Sequence, residues 1–180
     1  MMAVPQAMAK ADTTQATNTQ PQTVATRPLV DSSFVVPERY AFDNVVVVKV
    51  DPAYAEADYV ALMLARTQIR QDLGTTWPEE SLTLAENKAS LVNDLQAFQQ
   101  RTNFTYHLLD NATGQVIGCL YLSQGGAEQY QATMYFWLIP AYYQSKAYQP
   151  IRQGLQQWIN TAWPLQAVDV SLNGPAAVKP

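Results

Sequence analysis

The chain has 180 residues, of which 48% are hydrophobic, and a formal net charge of −4 at pH 7. This length predicts one domain plus a tail, with a substantial core. The mild acidity and the lack of a Lys/Arg cluster argue against nucleic acid and anionic membranes as partners. No apolar run reaches the roughly 18 residues of a membrane span. The single cysteine excludes an internal disulfide and, on this reasoning, a thiolate metal site. Because it also fits a reducing compartment, we expect a cytoplasmic protein without a bound metal.

Residues 1–33 are rich in Ala, Thr, Gln and Pro and show no hydrophobic period. Such a segment buries too little apolar surface to offset its ordering entropy, so we predict a disordered or loosely attached arm. Its start carries a single Lys10 and no apolar stretch, which does not match a signal peptide. The folded domain is predicted to span residues 34–175, and residues 176–180 are predicted to form a short tail.

The first half of the domain predicts one strand followed by two helices. The β-branched run at residues 45–50 indicates the first strand. A helix over 55–73 has Gly74 as its C-terminal cap. A second helix over 84–101 begins with the capping-box pair Thr83 and Glu86. The residues expected to face the core are Tyr59, Leu62, Met63, Ile69 and Leu73 in the first helix, and Leu84, Leu91, Leu95 and Phe98 in the second.

The second half predicts three strands, a helix and a last strand. Residues 104–110 and 115–122 form a hairpin by their spacing. A long strand over 131–140 is apolar on both faces, which is typical of a central strand, and Pro140 ends it. An irregular crossing follows, and a helix begins near Pro150 and ends near residue 161, with Gly154 placed for close packing. The alternation at residues 166–172 indicates the last strand.

This element order favours an α/β (α+β) fold with a mixed, mostly antiparallel sheet flanked by helices. The last strand follows a crossover helix, so it should lie parallel to the long strand. A strand that leads into a helix N-terminus brings free N–H groups and a positive dipole end to the sheet edge. The segment after Pro140 is therefore a candidate site for an anionic ligand.

At this point the chain resembles a GNAT-type N-acetyltransferase over about residues 34–172. The resemblance depends on the element order and on three motifs. These are the return strand Gln115-Val-Ile-Gly-Cys-Leu-Tyr-Leu122, the strand end Trp137-Leu-Ile-Pro140, and the loop Leu73-Gly-Thr-Thr-Trp-Pro78 with Thr83-Leu-Ala-Glu-Asn87. The resemblance implies an acyl-CoA N-acyltransferase-like fold with acetyl-CoA as co-substrate beside the long strand. Backbone groups of Trp137, Leu138 and Ile139 would pair with its pantetheine arm, and an N–H near Leu138 or Ile139 would polarise the thioester carbonyl.

The resemblance also implies a pyrophosphate loop of the form [RQ]-x-x-G-x-[GA]. The matching residues are Gln144, Ser145, Lys146, Ala147, Tyr148 and Gln149. Ala147 replaces the first Gly and Gln149 the second small residue, although glycine there permits positive φ and a close approach to phosphate. Lys146 could supply a compensating charge. The chain also ends before the family's last helix and hairpin, so the family's tyrosine acid would have to be replaced by Tyr142, Tyr143 or Tyr148.

Acetyl transfer needs a base for the acceptor amine. His107, the only histidine, could face the substrate cleft or be structural, and Glu86 could act through water or only cap its helix. Cys119 lies in an apolar strand without a His partner nearby in sequence, so we expect it in the core.

Two functions remain open from the sequence. One is an acetyl-CoA-dependent N-acetyltransferase for a small amine or a peptide amine, with His107, Glu86 and Tyr143 as candidate catalytic residues. The other is a degenerate, non-catalytic binding module. The missing final hairpin would leave the last strand as an exposed edge, which predicts cover by residues 28–44 or by a second copy in a homodimer.

Overall fold

A computed structural model describes residues 27–172 of the chain, and the predictions for residues 1–26 and 173–180 lie outside this range. In the described part, six strands form one sheet in the order β1-β2-β3-β4-β5-β6. All neighbours are antiparallel except β5 and β6, which are parallel. The strands are β1 Arg39–Phe42, β2 Val45–Lys49, β3 Phe104–Asp110, β4 Val116–Gln124, β5 Ala132–Leu138 and β6 Val168–Asp169; the helices are α1 Ala55–Leu73, α2 Leu84–Gln99, α3 Pro140–Tyr143 and α4 Tyr148–Ala162. The predicted mixed, mostly antiparallel sheet is confirmed.

The first strand of the sheet is β1, which the sequence prediction missed. It pairs with β2 through a two-residue turn, in which Asp43 adopts a φ of 46°. Its aromatic side chains pack on α4, where the Tyr40 ring stacks on Trp158 at a centroid distance of 5.1 Å. A four-residue strand with alternating exposure gives too short a hydrophobic pattern to be recognised.

The packed part of the chain begins before residue 34, where the sequence placed the domain boundary. Leu29 and Val30 are buried, and the Leu29 N–H donates to the carbonyl oxygen of Arg101 at 2.7 Å. The Arg101 guanidinium in turn donates to the carbonyl oxygens of Asp31 (2.8 Å) and Phe34 (2.9 Å). Residues 29–34 are therefore part of the domain and not of the predicted arm.

Helices α1 and α2 cover one face of the sheet. Helix α1 has the predicted bounds, and Gly74 caps it with a φ of 62°. Its buried residues are Ala55, Asp58, Ala61, Leu62, Ala65 and Ile69. Three residues that were predicted to face the core, Tyr59, Met63 and Leu73, are only half-buried, and alanines fill much of the buried face. The capping box of α2 is present, but Leu84 is 38% exposed and not inward, and the helix ends at Gln99. The alanines allow α1 to lie close to the sheet.

Helix α4 covers the opposite face. Trp158 packs edge-on against Tyr106 at 5.3 Å, and Trp163 packs against Phe104 at 4.9 Å. A Cβ on Gly154 would overlap the ring of Phe42, so the expected close packing at this glycine is confirmed, with β1 as the neighbour. No helix in residues 27–172 has the length and apolar character needed to cross a membrane.

The parallel pairing of β5 and β6 is short. Only Ala132 with Val168 and Thr133 with Asp169 are in register, while β5 continues to Leu138. The parallel orientation is confirmed, but the strand predicted over 166–172 is only two residues long. Within the described residues, no strand pairs with β5 on this side beyond Thr133. Part of the segment predicted to cover the last strand, residues 39–42, forms β1 at the opposite edge of the sheet, so cover by residues 28–44 is wrong there. Cover by a second copy stays a prediction.

Candidate functional site

Beyond the end of the β5–β6 ladder, the backbone N–H of Leu138 points away from the rest of the sheet. The Ile139 N–H donates to the carbonyl oxygen of Ile117 on β4 at 2.8 Å. Because N–H directions alternate along an antiparallel strand, the Leu138 N–H points to the β6 side. A Cβ on Gly118 would overlap the carbonyl oxygen of Trp137, so glycine allows β4 to approach β5 here. Of the three residues predicted to meet a pantetheine arm, only Leu138 presents its backbone groups on that side.

The segment predicted as a pyrophosphate loop forms two hydrogen-bonded turns between α3, which ends at Tyr143, and α4, which begins at Tyr148. Four of its N–H groups are already bonded: Gln144 donates to Pro140, Ser145 to Tyr142, Ala147 to the Ser145 hydroxyl and Tyr148 to the Ser145 carbonyl. Ala147 has a φ of −73°, so no left-handed residue replaces the family's glycine. Among residues 27–172, the N–H groups of Lys146 and Gln149 have no acceptor.

A half-buried carboxylate lies with three tyrosines around the edge of β5. Asp72 accepts hydrogen bonds from the Tyr135 hydroxyl (3.4 Å) and from the Gln68 amide (2.6 Å). Tyr143 packs edge-on against Tyr148, with ring centroids 4.9 Å apart. Tyr135 comes two residues after the last β5 residue paired with β6. We call Asp72, Tyr135, Tyr143 and Tyr148 the Asp72 cluster.

Electrostatics links the members of the Asp72 cluster. Burial raises the pKa of Asp72 above its ordinary value, and the hydrogen bonds from Gln68 and Tyr135 offset this only in part. Burial and then the Asp72 charge raise the pKa of Tyr143. Burial is also the main cause that raises the pKa of Tyr148 to about 12. At neutral pH the cluster therefore combines a carboxylate of increased basicity with phenols that keep their protons.

Two further candidates for the proton transfers, Tyr142 and Glu86, each have a structural partner. The Tyr142 hydroxyl donates to Asp110 Oδ2 at 2.8 Å, which ties α3 to the end of β3. Glu86 accepts from the backbone N–H and the hydroxyl of Thr83, both at 2.8 Å, and the backbone bond is the main cause that lowers the Glu86 pKa. A carboxylate held in this way is a weak base, so the capping role accounts for Glu86.

His107 lies in the core and does not face an open cleft as the sequence argument considered. Its side chain is 0% exposed, and Nε2 lies 3.3 Å from the backbone nitrogen and 3.4 Å from the backbone oxygen of Asp51. The Tyr54 ring packs on it at 5.0 Å. On the other side of the ring, Nδ1 lies 3.3 Å from Asp58 Oδ1. A solvent-facing base role for His107 is therefore wrong.

Cys119 is buried as expected, but it does have a histidine partner. Its Sγ lies 3.1 Å from Asp58 Oδ1 and 3.5 Å from His107 Nδ1. Asn87 donates to the other oxygen of Asp58 at 2.9 Å. Burial and then the Asp58 charge raise the pKa of the Cys119 thiol. Burial also acts to raise the pKa of Asp58, but the hydrogen bond and charge of His107, with Asn87 and Cys119, outweigh it and hold that pKa below its ordinary value.

Two of these groupings had signals in the sequence. Asp58 lies four residues before Leu62 and eleven before Ile69, so it falls on the buried stripe of α1, where a lone carboxylate is unusual. Asp72 lies in the last turn of α1, where an acidic side chain opposes the helix dipole. The hairpin register also places His107 directly opposite Cys119, so both side chains point to the same face.

Asp94, on α2, makes the free energy of unfolding depend on pH. Burial, and then the charge of Asp58, raise the pKa of Asp94 from 3.8 to about 7, partly offset by His107 and Thr105. Because the folded-state pKa lies above the ordinary value, ionisation opposes folding, and stability falls as pH rises from about 4 to about 7. We expect Asp94→Asn to flatten this slope and to stabilise the fold by roughly 1–3 kcal/mol at pH 8.

Urea unfolding at several pH values, in buffer with a chelator, measures this effect. Asp43→Asn, at an exposed turn residue, is the matched control and should retain the wild-type slope. An unchanged slope in Asp94→Asn would contradict the assignment to Asp94.

No protein-family model matches the sequence, and no curated protein matches it significantly. Solved structures do match. The ribosomal-protein-S5-alanine acetyltransferase of Vibrio fischeri is 14% identical with a TM-score of 0.50, covering 72% of this chain and 71% of that one. A GNAT-family acetyltransferase of Bacillus anthracis is 10% identical with a TM-score of 0.53, covering 72% and 70%. A GCN5-related N-acetyltransferase of Brucella melitensis is 16% identical with a TM-score of 0.54, covering 78% and 61%.

The chain has the GNAT N-acetyltransferase fold. This confirms the predicted acyl-CoA N-acyltransferase-like architecture. Within this fold, the β5–β6 ladder ends at Thr133.

Proposed function

We propose that the protein is an acetyl-CoA-dependent N-acetyltransferase for a small amine or a peptide amine in the cytoplasm. The observation that carries this proposal is the end of the β5–β6 ladder at Thr133, which leaves the Leu138 N–H directed to the β6 side. A fixed backbone donor in that position is suited to stabilise the oxyanion that forms when an amine attacks a thioester. The Vibrio fischeri protein is named for acetylating an alanine of ribosomal protein S5, which supports testing peptides that contain alanine.

In this proposal, the diphosphate of acetyl-CoA is bound mainly by cationic side chains and less by backbone N–H groups. Lys146 is exposed just before α4, and Arg152 lies in the second turn of this helix. Arg152 Nε is buried without a hydrogen-bond partner, and the Arg152 charge acts on Tyr148. Together with the N–H groups of Lys146 and Gln149 and the positive end of the α4 dipole, these cations form an anion site.

The Asp72 cluster supplies the proton transfers of the proposed reaction. Asp72 accepts the proton that the acceptor amine loses as its nitrogen bonds to the acetyl carbon. The Leu138 N–H donates to the thioester oxygen while negative charge develops there. Tyr143 donates its hydroxyl proton to the sulfur as the carbon–sulfur bond breaks, and its raised pKa keeps that proton in place until then.

A second function, a binding module without cofactor chemistry, is favoured by one specific observation. Four of the six residues in the predicted pyrophosphate loop use their N–H groups internally. A loop in this state offers fewer donors to phosphate than the family's glycine loop. The two functions make opposite predictions for cofactor binding.

A thermal-shift titration with acetyl-CoA separates the two functions. For the enzyme, we expect saturating acetyl-CoA to raise Tm by several degrees, since a ligand at 100 times its Kd stabilises the native state by about 2.7 kcal/mol. Lys146→Glu should remove most of the shift because it reverses the charge at the anion site. Lys88→Glu, the same change at an exposed residue of α2, should retain it. No shift at millimolar acetyl-CoA would favour the binding module, and an equal shift in Lys146→Glu would exclude this loop as the anion site.

A further inference from the structure

The only histidine and the only cysteine of the chain lie side by side in the core, against a carboxylate. Asp58 Oδ1, His107 Nδ1 and Cys119 Sγ form a triangle with sides of 3.1, 3.3 and 3.5 Å. None of the three residues is more than 2% exposed. The acetyl-transfer mechanism proposed above uses none of them.

We propose that Asp58, His107 and Cys119 bind a zinc ion between α1 and the β3–β4 hairpin. Zinc bonds of about 2.3 Å to sulfur and about 2.0–2.1 Å to nitrogen and oxygen, at tetrahedral angles, hold the donor atoms about 3.3–3.6 Å apart. The nitrogen–oxygen separation of 3.3 Å and the sulfur–nitrogen separation of 3.5 Å match these values. The sulfur–oxygen separation of 3.1 Å is shorter and has to lengthen by about 0.4 Å when the ion binds. All candidate ligand atoms of the triad are within 4.8 Å of one another, so one ion can reach all three.

The surroundings of the triad match those of a zinc ligand set. A zinc-bound histidine usually donates its second ring N–H to a backbone carbonyl or carboxylate. Here His107 Nε2 lies 3.4 Å from the Asp51 carbonyl oxygen and 3.3 Å from the Asp51 backbone nitrogen. In the tautomer that carries its proton on Nε2 and donates to the carbonyl oxygen, Nδ1 is free for the metal. The outer oxygen of Asp58 accepts from Asn87, which leaves Oδ1 for the metal. His107 and Asp58 are thus each oriented by a partner that does not occupy the bonding atom.

The charges of the triad also suit a buried divalent cation. A Cys119 thiolate and an Asp58 carboxylate balance Zn²⁺, so the loaded site is neutral, as burial requires. Binding releases the thiol proton to solvent, so affinity increases with pH. Sites with three protein ligands complete the tetrahedron with a water.

A single cysteine excludes only metal sites that are built from several thiolates. The proposed site therefore corrects the prediction that this chain has no thiolate metal site. A mixed sulfur, nitrogen and oxygen set needs only one cysteine, and its other members lie 12 and 61 residues away along the chain. Only the fold brings them together.

The test uses Co²⁺ as a spectroscopic substitute in the untagged full chain. Because the triad is buried, the chain is unfolded in urea and refolded with increasing Co²⁺. Cys119 is the only cysteine, so a thiolate-to-cobalt charge-transfer band can come from no other residue. We expect this band to saturate at about one cobalt per chain and to disappear when Zn²⁺ is added. No band, or one that does not saturate at this ratio, would overturn the proposal.

Variants distinguish the triad from binding by Cys119 alone. Asp58→Asn and His107→Gln should each weaken cobalt binding at least about tenfold, whereas Asp43→Asn should retain wild-type binding. Because these variants could fold poorly, the wild-type protein gives a second measurement. The imidazole signals of the one histidine should be replaced by a new set at one equivalent of Zn²⁺ in an NMR titration. Unchanged imidazole signals, or wild-type cobalt binding in both triad variants, would also overturn the proposal.

Discussion

Replacing Asp58 by alanine is expected to lower the free energy of unfolding by about 3–5 kcal/mol. The carboxylate is 2% exposed and accepts hydrogen bonds from Asn87 and Cys119 as well as facing His107 Nδ1. Alanine would remove the main acceptor of these three groups in the core, where an unsatisfied polar group costs about 1–3 kcal/mol. The lost contacts join α1 and α2 to β3 and β4, so the whole domain should be affected.

Urea unfolding in buffer with a chelator measures this loss without any contribution from bound metal. The expected result is a lower midpoint with an unchanged m-value. Asp43→Ala, at an exposed residue of the β1–β2 turn, provides the matched control. The double variant Asp58→Leu/His107→Leu should be less destabilised than the sum of its single variants, because it leaves neither half of the pair alone. A loss below about 1 kcal/mol in Asp58→Ala would show that the network contributes little to stability.

Replacing Asp72 by asparagine is expected to reduce kcat for acetyl transfer by about 10²–10³-fold. The amide keeps the shape and the hydrogen bond from Tyr135, but it cannot accept the amine proton. The KM for acetyl-CoA should change little because the anion site at Lys146 and Arg152 is intact. Asp43→Asn, the same chemical change at an exposed residue, should have wild-type activity.

The pH profile separates a base from a positioning residue in this experiment. Asp72 must be ionised to accept a proton, so wild-type kcat should rise as pH increases through its raised pKa and then level off. The Asp72→Asn variant should lose this rise. A variant with wild-type kcat, or with an unchanged acidic limb of the pH profile, would exclude Asp72 as the base. This outcome would not contradict the proposal that the Leu138 N–H stabilises the oxyanion.

Local patterns in the sequence predicted most of the elements. The bounds of α1, the Thr83–Glu86 capping box and the hairpin of β3 and β4 depend on neighbours in the chain, so short-range chemistry determines them. The parallel orientation of β6 followed from the crossover through α4. Strand β1 was missed because its pairing with β2, and not a pattern in its own four residues, makes it a strand.

The candidate site was predicted much less completely, because its contacts join distant segments. Asp72 meets Tyr135 across 63 residues, and neither residue alone indicates the other. A carboxylate in the first turn of a helix is common, so Asp58 did not stand out although it lies on the buried stripe. The loop at 144–149 was interpreted from a family motif. Its own Ser145 instead bonds Ala147 and closes a turn that takes up the N–H groups.

The pairing of His107 with Cys119 places a limit on how the hairpin between them can evolve. The two residues share a face because the register brings them level, and an irregularity at Leu108 and Leu109 helps to fix that register. An insertion of one residue in the turn at 111–115 that slipped the register would rotate every β4 side chain to the opposite face. Cys119 would then point at α4, and Leu120 would take its place beside Asp58. Deletions and insertions in this solvent-exposed turn should therefore be tolerated mainly in steps of two.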